Sequence, residues 1–322
     1  MNPLLENAEL PKFDEIRAEH VGEAVDAMVT AVEKGLKRIE GDQRAPSWAT
    51  VIEELNTLED WFTKVWSPVS HLNMVRNEPA LREVYEAAQP KIVALGLKIG
   101  QSAALYAKLI SIQNSPEWKT FDEGQRRAVE KRILSAKLSG IALDGEKKER
   151  FNKLSEELSQ LSNKFSNNVI DATKAFKLIL TDKNDVDGLT ESAREMLAHS
   201  YARQNAGTKA DPANGPWLLT LDAPVYMAFM QFAKSGALRE KLYRAFVTRA
   251  SSGEKDNTPL MEQILKLRQE EAELLGYANY AEVSLAGKMA RNAGEVNQLL
   301  EELRQSALKP AREELKEITA LA

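Results

Sequence analysis

Residues 151–179 read FNKLSEELSQLSNKFSNNVIDATKAFKLI, and apolar side chains recur along them at close to heptad spacing. The apolar positions are Phe151, Leu154, Leu158, Leu161, Phe165, Ala172 and Ile179. A stripe of this length predicts a long helix that packs against one or two antiparallel partners. Asn167 and Asn168 interrupt the stripe, which indicates a kink or a polar patch there. The stretch therefore predicts an all-α bundle with long hairpin helices.

Apolar residues at three-and-four spacing recur in nearly every other segment, as in helices with one buried face. The first of these stripes consists of Val21, Val25, Met28, Val32 and Ile39. Ser47 is predicted to cap the second helix and Pro68 to end it. Asn77 is predicted to cap the third helix, and Pro90 to kink or break it. The N-terminal part of the chain is therefore expected to be a bundle of several helices.

Capping and turn residues predict further helices from Asp122 onward. Asp122 and Gln125 form the spacing of a capping box, and Gly140 marks the end of the helix that follows. A long loop is predicted over Gln204–Pro216, followed by a short strand from Trp217 to Leu221. Thr190 is predicted to cap the helix before that loop, and the later helices are expected to begin near Ala223, Ser235, Thr258, Ala278 and Gly294. We expect two domains, residues 1–205 and 206–322, and at most one short strand pair.

Composition limits the classes of function. The 322 residues carry a net charge of −5 with both signs interspersed, so there is no basic stripe for nucleic acid. No cysteine is present, which excludes disulfides, thiolate catalysis and cysteine-bound zinc. The first residues lack the features of a signal peptide, and no run of about 18 apolar residues would span a membrane. These features predict a cytoplasmic protein with no membrane and no nucleic-acid partner.

The three histidines, His20, His71 and His199, each lack a second histidine three or four residues later. The H-E-x-x-H pattern, which places two imidazoles on one helix face to bind zinc, is therefore absent. We expect His20 to cap a helix or pair with an acid, and His71 to bond to the backbone in a turn. His199 is expected to lie part-exposed within a helix. The sequence predicts no catalytic and no metal-binding residue, and it leaves the substrate-binding residues unassigned.

Adjacent carboxylates are frequent, but they are predicted to be solvated surface because neighbours on a helix point to different sides. The pairs are Glu53–Glu54, Glu59–Asp60, Glu156–Glu157, Glu270–Glu271 and Glu301–Glu302. The chain also lacks the G-x-S-x-G elbow of serine hydrolases and the glycine-rich loops of nucleotide-binding proteins. These patterns give no support to glycosidase, serine hydrolase or nucleotide-binding chemistry.

An aromatic set and an arginine set remain as candidates for binding. Trp61, Phe62 and Trp66 recur at helical spacing, for which core packing is the first interpretation and a peptide-binding wall is the alternative. Arg239, Arg244 and Arg249 recur every five residues and therefore spread around a helix. Arg249, at the end of that helix, is the candidate for a buried ion pair or a carboxylate-binding residue.

Six segments, in the same order, resemble a known family. They are SPVSHLN at 67–73, LSGI at 138–141, LSNKFSNNVIDAT at 161–173, LLTLDAPVY at 218–226, LREKLYRAFVTRAS at 238–251 and LGYANYAEVSLAGKMA at 275–290. The chain resembles the N-terminal half of the thimet-oligopeptidase-like zinc metallopeptidases, and within them the bacterial oligopeptidase A group. The resemblance is weakest over the first helix and the loop before Trp217.

The resemblance implies a mostly helical protein that is divided by a deep channel, with a zinc site on the channel floor. The family's zinc ligands, an H-E-x-x-H pair and a later glutamate, lie in its C-terminal half, so no cofactor is expected in this chain. In the whole enzyme, zinc would polarise the scissile carbonyl and the glutamate of the motif would deprotonate the bound water. A narrow channel would admit short peptides and exclude folded proteins.

Two hypotheses of different classes follow. The first is that the chain is the N-terminal, channel-wall portion of a zinc-dependent oligopeptidase and is inactive alone. The second is that it is a complete, non-catalytic helical module that binds peptides or another partner. A generic helical scaffold is a third possibility, but it does not explain the six ordered matches.

The last helix predicts a surface that needs a partner. From Gly294 onward, a stripe of Leu299, Leu303, Ala307, Leu315 and Ile318 is still running when the sequence reaches Ala322. A chain cut within or just after a helix is one interpretation, and a natural helix end that frays is the other. If half of a fold is missing, the exposed apolar surface favours self-association.

Overall fold

The computed structural model describes residues 2–6 and 9–321, and helices dominate it. In chain order the elements are α1 (Ala18–Gly41), α2 (Glu53–Val75), α3 (Pro79–Gly100), α4 (Ala103–Gln113), α5 (Glu123–Leu138), α6 (Gly145–Ala175), β1 (Leu178–Leu180), α7 (Glu191–Gln204), β2 (Trp217–Leu219), α8 (Ala223–Phe232), α9 (Gly236–Val247), α10 (Thr258–Leu274), α11 (Tyr280–Ala286) and α12 (Ala293–Leu321). The predicted all-α class is confirmed, and within the described residues the only sheet is the short β1–β2 pair.

Two compact units make up the chain. The first consists of Met1–Ser159 and Lys266–Ala322, and the second of Gln160–Leu265. Both α6 and α10 begin in one unit and end in the other. The division into residues 1–205 and 206–322 stays a prediction.

The core of the first unit forms where α1 packs against α2 and α3. All five residues of the first predicted stripe are buried in α1, at 2% exposure or less. Val65, Val69 and Leu72 of α2 and Leu81, Ala88 and Leu95 of α3 belong to the same hydrophobic core. Burial of a side chain of this size stabilises the fold by about 1.5–3 kcal/mol, so the three helices hold one another in place.

The prediction that Pro68 ends its helix was wrong, and the break that was one of the two outcomes predicted at Pro90 does not occur. Pro68 lies inside α2, which continues to Val75, and Pro90 lies inside α3, which continues to Gly100 without a break. A proline removes one intrahelical hydrogen bond. Pro68 is itself buried between Val65 and Val69, which both pack in the core. The packing of Pro68 in the core offsets the lost hydrogen bond. The local sequence does not reveal this packing.

The predicted caps were partly correct. The hydroxyl of Ser47 accepts a hydrogen bond from the backbone N–H of Thr50 at 3.2 Å, but the turn it caps, Trp48–Ile52, is π-helical and leads into α2. Asn77 does not cap α3. Its φ of 48° is left-handed, and its N–H bonds to the carbonyl of Leu72 at 3.3 Å, so that Asn77 ends α2 instead.

The later caps follow the sequence closely. The carboxylate of Asp122 accepts from the N–H of Gln125 at 2.8 Å, and the Gln125 side chain accepts from the N–H of Asp122 at 3.1 Å, which completes the capping box. Gly140, with φ of 78°, follows the end of α5. Thr190 accepts from the N–H of Ala193 at 3.2 Å and begins α7 as predicted.

The long apolar stripe that begins at Phe151 is only partly helical. Phe151 and Leu154 are buried in α6, but the helix ends at Ala175, and Ile179 lies in β1. Ile179 is the antiparallel partner of Leu218 in β2. The heptad prediction therefore fails at its last position, Ile179, because the strand partner lies about 40 residues away in the sequence and leaves no local signal.

The second unit is built on the β1–β2 pair and helices α7 to α9. Its core includes Trp217 and Leu219 of β2, Leu197 of α7, Phe229 of α8 and Leu242 of α9, each fully or almost fully buried. The loop predicted over Gln204–Pro216 is present after the last residue of α7. The strand prediction for Trp217–Leu221 is confirmed for Trp217–Leu219.

The last helix, α12, carries an apolar face that the described residues do not cover. None of its described residues is buried, and Leu299, Leu303, Leu315 and Ile318 are 57–63% exposed. Ala322, the last residue of the sequence, lies outside the described residues. Within those residues, no helix is long and apolar enough to cross a lipid bilayer.

Candidate functional site

A cavity in the first unit lies where α5 and α10 end. Its volume is about 540 Å³, within the range of small-ligand pockets. Both helices finish with a left-handed glycine, Gly140 at φ 78° and Gly276 at φ 80°. The N–H of Ile141 bonds back to Ala136 at 3.1 Å and that of Tyr277 to Ala272 at 2.8 Å, so both ends form Schellman motifs.

The lining of this cavity supports binding rather than catalysis. Leu138, Leu143 and Leu274 supply apolar surface, while Tyr106 and Lys137 supply polar groups. Helix C-termini carry partial negative charge, which the ammonium group of Lys137 in the last turn of α5 balances. Sequence reasoning identified Gly140 as a helix end but missed the cavity, because its walls come from segments about 130 residues apart.

The three histidines occupy three different environments. His20 accepts a hydrogen bond at Nδ1 from the backbone N–H of Arg17 at 3.0 Å, which confirms the predicted helix cap. The turn predicted for His71 was wrong, since His71 lies inside α2 with its ring 5.4 Å from that of Phe13. His199 lies within α7 as predicted, and it is exposed.

The prediction of solvated acids was wrong for Glu271, whereas Glu270 is 38% exposed and forms an ion pair. Arg150 of α6 donates to the two oxygens of Glu270 at 2.5 and 2.6 Å, and this pair of hydrogen bonds lowers the pKa of Glu270. Burial raises the pKa of Glu271, against the weaker opposite effect of Arg268. Oε2 of Glu271 is buried without a hydrogen-bond partner. The burial of Glu271 depends on contacts with other segments, which the local sequence does not indicate.

The aromatic set on α2 packs in the core of the first unit, as first interpreted. Trp61, Phe62 and Trp66 are partly buried against the α1–α2–α3 core. The ring of Trp66 stacks on Tyr85 with centroids 4.9 Å apart and planes at 12°. The peptide-binding-wall alternative gains no support from these contacts.

Arg249 differs from the other two arginines of its set. Arg244 is exposed and forms an ion pair with Glu240 at 2.8 Å, and Arg239 donates to the carbonyl of Ala233. Arg249 is half-buried, and its guanidinium carbon lies 3.7 Å from the centroid of the Phe246 ring. The structure thus places the sequence candidate against an aromatic ring rather than in an ion pair.

Two family models match the chain in the order that the sequence segments indicate. The model for "Neurolysin/Thimet oligopeptidase, N-terminal domain" matches residues 25–148, and that for "Peptidase family M3" matches residues 229–322. The chain belongs to the thimet-oligopeptidase-like peptidase family. The first match covers α1 to α5, and the second covers α9 to α12.

Relatives of this family align over the whole chain. It is 44% identical over 321 residues to the probable cytosolic oligopeptidase A of Arabidopsis thaliana, covering 100% of this chain and 45% of that protein. It is also 44% identical to the organellar (chloroplastic/mitochondrial) oligopeptidase A of Arabidopsis thaliana, covering 100% and 40%. With oligopeptidase A of Escherichia coli K12 the identity is 37% over 326 residues, covering 100% and 47%. The chain spans less than half the length of these relatives.

The residues described here do not fit the zinc ion that this peptidase family implies. Among residues 2–6 and 9–321, no group of three histidine, cysteine, aspartate or glutamate side chains is arranged to hold a metal ion. Nδ1 of His20 is already engaged as a cap. We therefore assign no catalytic step to these residues.

Proposed function

We propose that this chain supplies the N-terminal, channel-wall half of a zinc-dependent oligopeptidase that hydrolyses short peptides. The observation that carries the proposal is the alignment with the plant and bacterial oligopeptidases A, which extends over the entire chain at 37–44% identity. An N-terminal-domain match followed by a peptidase-family match, in that order, supports the same assignment.

The zinc site belongs, in this proposal, to residues outside these 322. The absence of H-E-x-x-H from the sequence supports this, because the two histidines of that motif must share one helix face to bind zinc. The 322-residue chain alone is then inactive. Its contribution to the enzyme is to bind and orient peptides and to exclude folded proteins.

The exposed face of α12 would be covered by that catalytic half. Leu299, Leu303 and Leu315 are more than half exposed on a helix that is otherwise highly charged. An apolar stripe of this kind on a water-exposed helix is typical of a surface that packs against another polypeptide. In the isolated chain the same stripe is free to pair with a second copy.

We also propose that the enzyme acts in the cytoplasm. The name of the cytosolic Arabidopsis relative supports this compartment, and the chain has no cysteine that an oxidising compartment could pair. The organellar relative shares the same identity of 44%, so fractionation of the source cells is the direct test. Recovery in an organelle fraction would contradict the cytoplasmic assignment.

The experiment for the enzyme itself begins with the gene. Sequencing past the codon for Ala322 should show an open frame that continues into H-E-x-x-H. The protein from the longer frame should cleave an internally quenched peptide and lose activity with a chelator, and the 322-residue chain should not cleave it. A stop codon after Ala322, with peptide affinity and no turnover, would replace the enzyme by a non-catalytic binding module.

A further inference from the structure

The side chain of Arg249, two residues beyond the end of α9, is held flat by three contacts within the second unit. Its guanidinium lies 3.7 Å from the centroid of the Phe246 ring, and that ring stacks on Tyr226 at 4.0 Å and 21°. Nε donates to the carbonyl of Phe246 at 2.8 Å, and Nη1 donates to Oγ1 of Thr173 at 3.2 Å. The cation is therefore fixed in position and orientation before any ligand arrives.

The charge of Arg249 has no counterpart among the described residues. No described carboxylate forms an ion pair with it, and the nearby acid Asp171, two residues before Thr173, is bonded to Lys255 at 2.8 Å. A half-buried cation without an anion costs free energy, since part of its hydration is lost and nothing replaces it. The three contacts leave the hydrogens on Nη2 available for a ligand.

The backbone after Arg249 is held in a conformation that few residues adopt. Ala250 has a φ of 50°, although it is not a glycine and is 7% exposed. Its carbonyl accepts a hydrogen bond from the N–H of Asn257 at 2.9 Å, and the side chain of Asn257 in turn bonds to Asn168 and to the carbonyl of Phe165. Left-handed alanine costs about 1 kcal/mol and persists where surrounding contacts impose it, often beside functional groups.

A fixed guanidinium with free N–H groups matches a carboxylate, because its planar fork can donate two parallel hydrogen bonds. Every unmodified peptide ends in one carboxylate. We propose that Arg249 binds the C-terminal carboxylate of a peptide substrate, with Phe246 and Thr173 as the residues that position it. This proposal rests on the proposed function insofar as peptides are the ligands of the chain.

The test compares peptides that differ only in their last group. An N-terminally fluorescein-labelled octapeptide is prepared as the free acid, as the C-terminal amide, and as an amide with glutamate at the last position. Binding to the 322-residue chain is followed by fluorescence anisotropy. A charge-assisted hydrogen bond contributes about 1.5–3 kcal/mol, so we expect the free acid to bind roughly 10-fold tighter than the amide, or more.

Variants then assign the preference to one side chain. Arg249→Gln should bind the acid and the amide equally, and Arg249→Lys should keep only part of the preference because it retains the charge but not the fork. Arg244→Gln is the matched control, since Arg244 lies in α9, five residues before Arg249, and is exposed. This control variant should keep the full preference for the acid.

Several outcomes overturn the proposal. Equal affinity of the wild-type chain for the acid and the amide would overturn it. This measurement needs no variant, so it holds even if Arg249→Gln fails to fold. That result would leave peptide binding, and with it the proposed function, intact. If the wild-type chain binds neither the acid nor the amide, the assignment of Arg249 is also overturned. Recovery of tight binding by the glutamate-terminated amide would reassign Arg249 to acidic side chains and remove the C-terminal assignment.

Discussion

Helices α1 and α12 have similar lengths and the same kind of amphipathic sequence, yet their surroundings are opposite. In α1 the apolar stripe includes eight buried residues, and in the described part of α12 no residue is buried. Met28 of α1 is 0% exposed, whereas Leu303 of α12 is 57% exposed. Amphipathic periodicity thus predicts which face of a helix is fit for burial, but only the presence of a partner decides whether it is buried.

The same leucine-to-alanine change in both helices is the strongest test of this contrast. Leu36→Ala in α1, where Leu36 is 1% exposed, should lower the free energy of unfolding by about 2–5 kcal/mol because it leaves a cavity. Leu303→Ala in α12 should change it by less than about 0.5 kcal/mol. Urea denaturation of the two variants and the wild type measures both. Equal costs would show that α12 is packed in solution.

If the chain self-associates through α12, the apolar face of α12 is buried as that of α1 is. Charged side chains on this face should prevent the association and leave it exposed. We expect Leu303→Lys combined with Leu315→Lys to convert self-associated chain to monomer in sedimentation velocity runs, because two buried cations would face an apolar partner. The matched control, Lys309→Leu with Lys316→Leu, should increase association. A wild-type chain that stays monomeric at high concentration contradicts the prediction.

Two glycines of α1 have different surroundings, since Gly35 lies against a neighbouring side chain and Gly22 faces open space. A Cβ at Gly35 would lie 2.3 Å from a methyl carbon of Leu58, so Gly35→Ala should cost about 1 kcal/mol after the gain in helix propensity is subtracted. A Cβ at Gly22 meets nothing within 4 Å, so Gly22→Ala should stabilise the chain by about 0.5–1 kcal/mol. Thermal melts of both variants should shift in opposite directions. Shifts of the same sign would mean that Leu58 moves aside freely.

The ion pairs near the end of α1 and on α12 should contribute similarly to stability, unlike the apolar faces of the two helices. At the end of α1, hydrogen bonds from Arg44 lower the pKa of Asp42 to about 2, and on α12 those from Arg304 lower the pKa of Glu301. Because each folded pKa is below its unfolded value, each carboxylate stabilises the fold above the unfolded pKa, and this contribution is lost as pH falls through the folded pKa. For Asp42 this window lies between about pH 4 and pH 2.

NMR titration of the side-chain carboxyl carbons checks this last prediction. Arg44→Ala should raise the pKa of Asp42 toward that of an unpaired aspartate, and Arg304→Ala should raise the pKa of Glu301 toward that of an unpaired glutamate. The effect on stability should be the smallest of the four, since both pairs lie in water. A pKa of Asp42 that does not respond to Arg44→Ala would assign the shift to the backbone instead.

Local chemistry explains why much of the fold could be predicted. The capping box of Asp122 and Gln125 and the caps at Ser47 and Thr190 involve residues within three positions of one another, so their hydrogen bonds follow from the sequence. Asn77 was assigned to the wrong helix because a polar residue between two helices can end one or begin the next. Its left-handed φ settles the choice, and that angle depends on how α2 and α3 pack.

The candidate sites also include features that the sequence predicts and features that only the tertiary structure shows. Arg249 was singled out from the sequence by its predicted position at the end of a helix. The contacts of Arg249 with Phe246 lie within one helical turn, but its bond to Thr173 joins residues 76 positions apart. Only the tertiary structure brings these groups together and shows that no described acid neutralises the charge.

The sequence by itself determined the helices, most of their caps, the faces fit for burial and the resemblance to a peptidase family, because each depends on neighbouring residues or on ordered segments. The tertiary structure alone decided that α2 and α3 continue past Pro68 and Pro90, and that Ile179 pairs with Leu218. It also decided that α1 is buried while α12 is not. These outcomes depend on the free energy of contacts between distant segments, which can outweigh local preference by several kcal/mol.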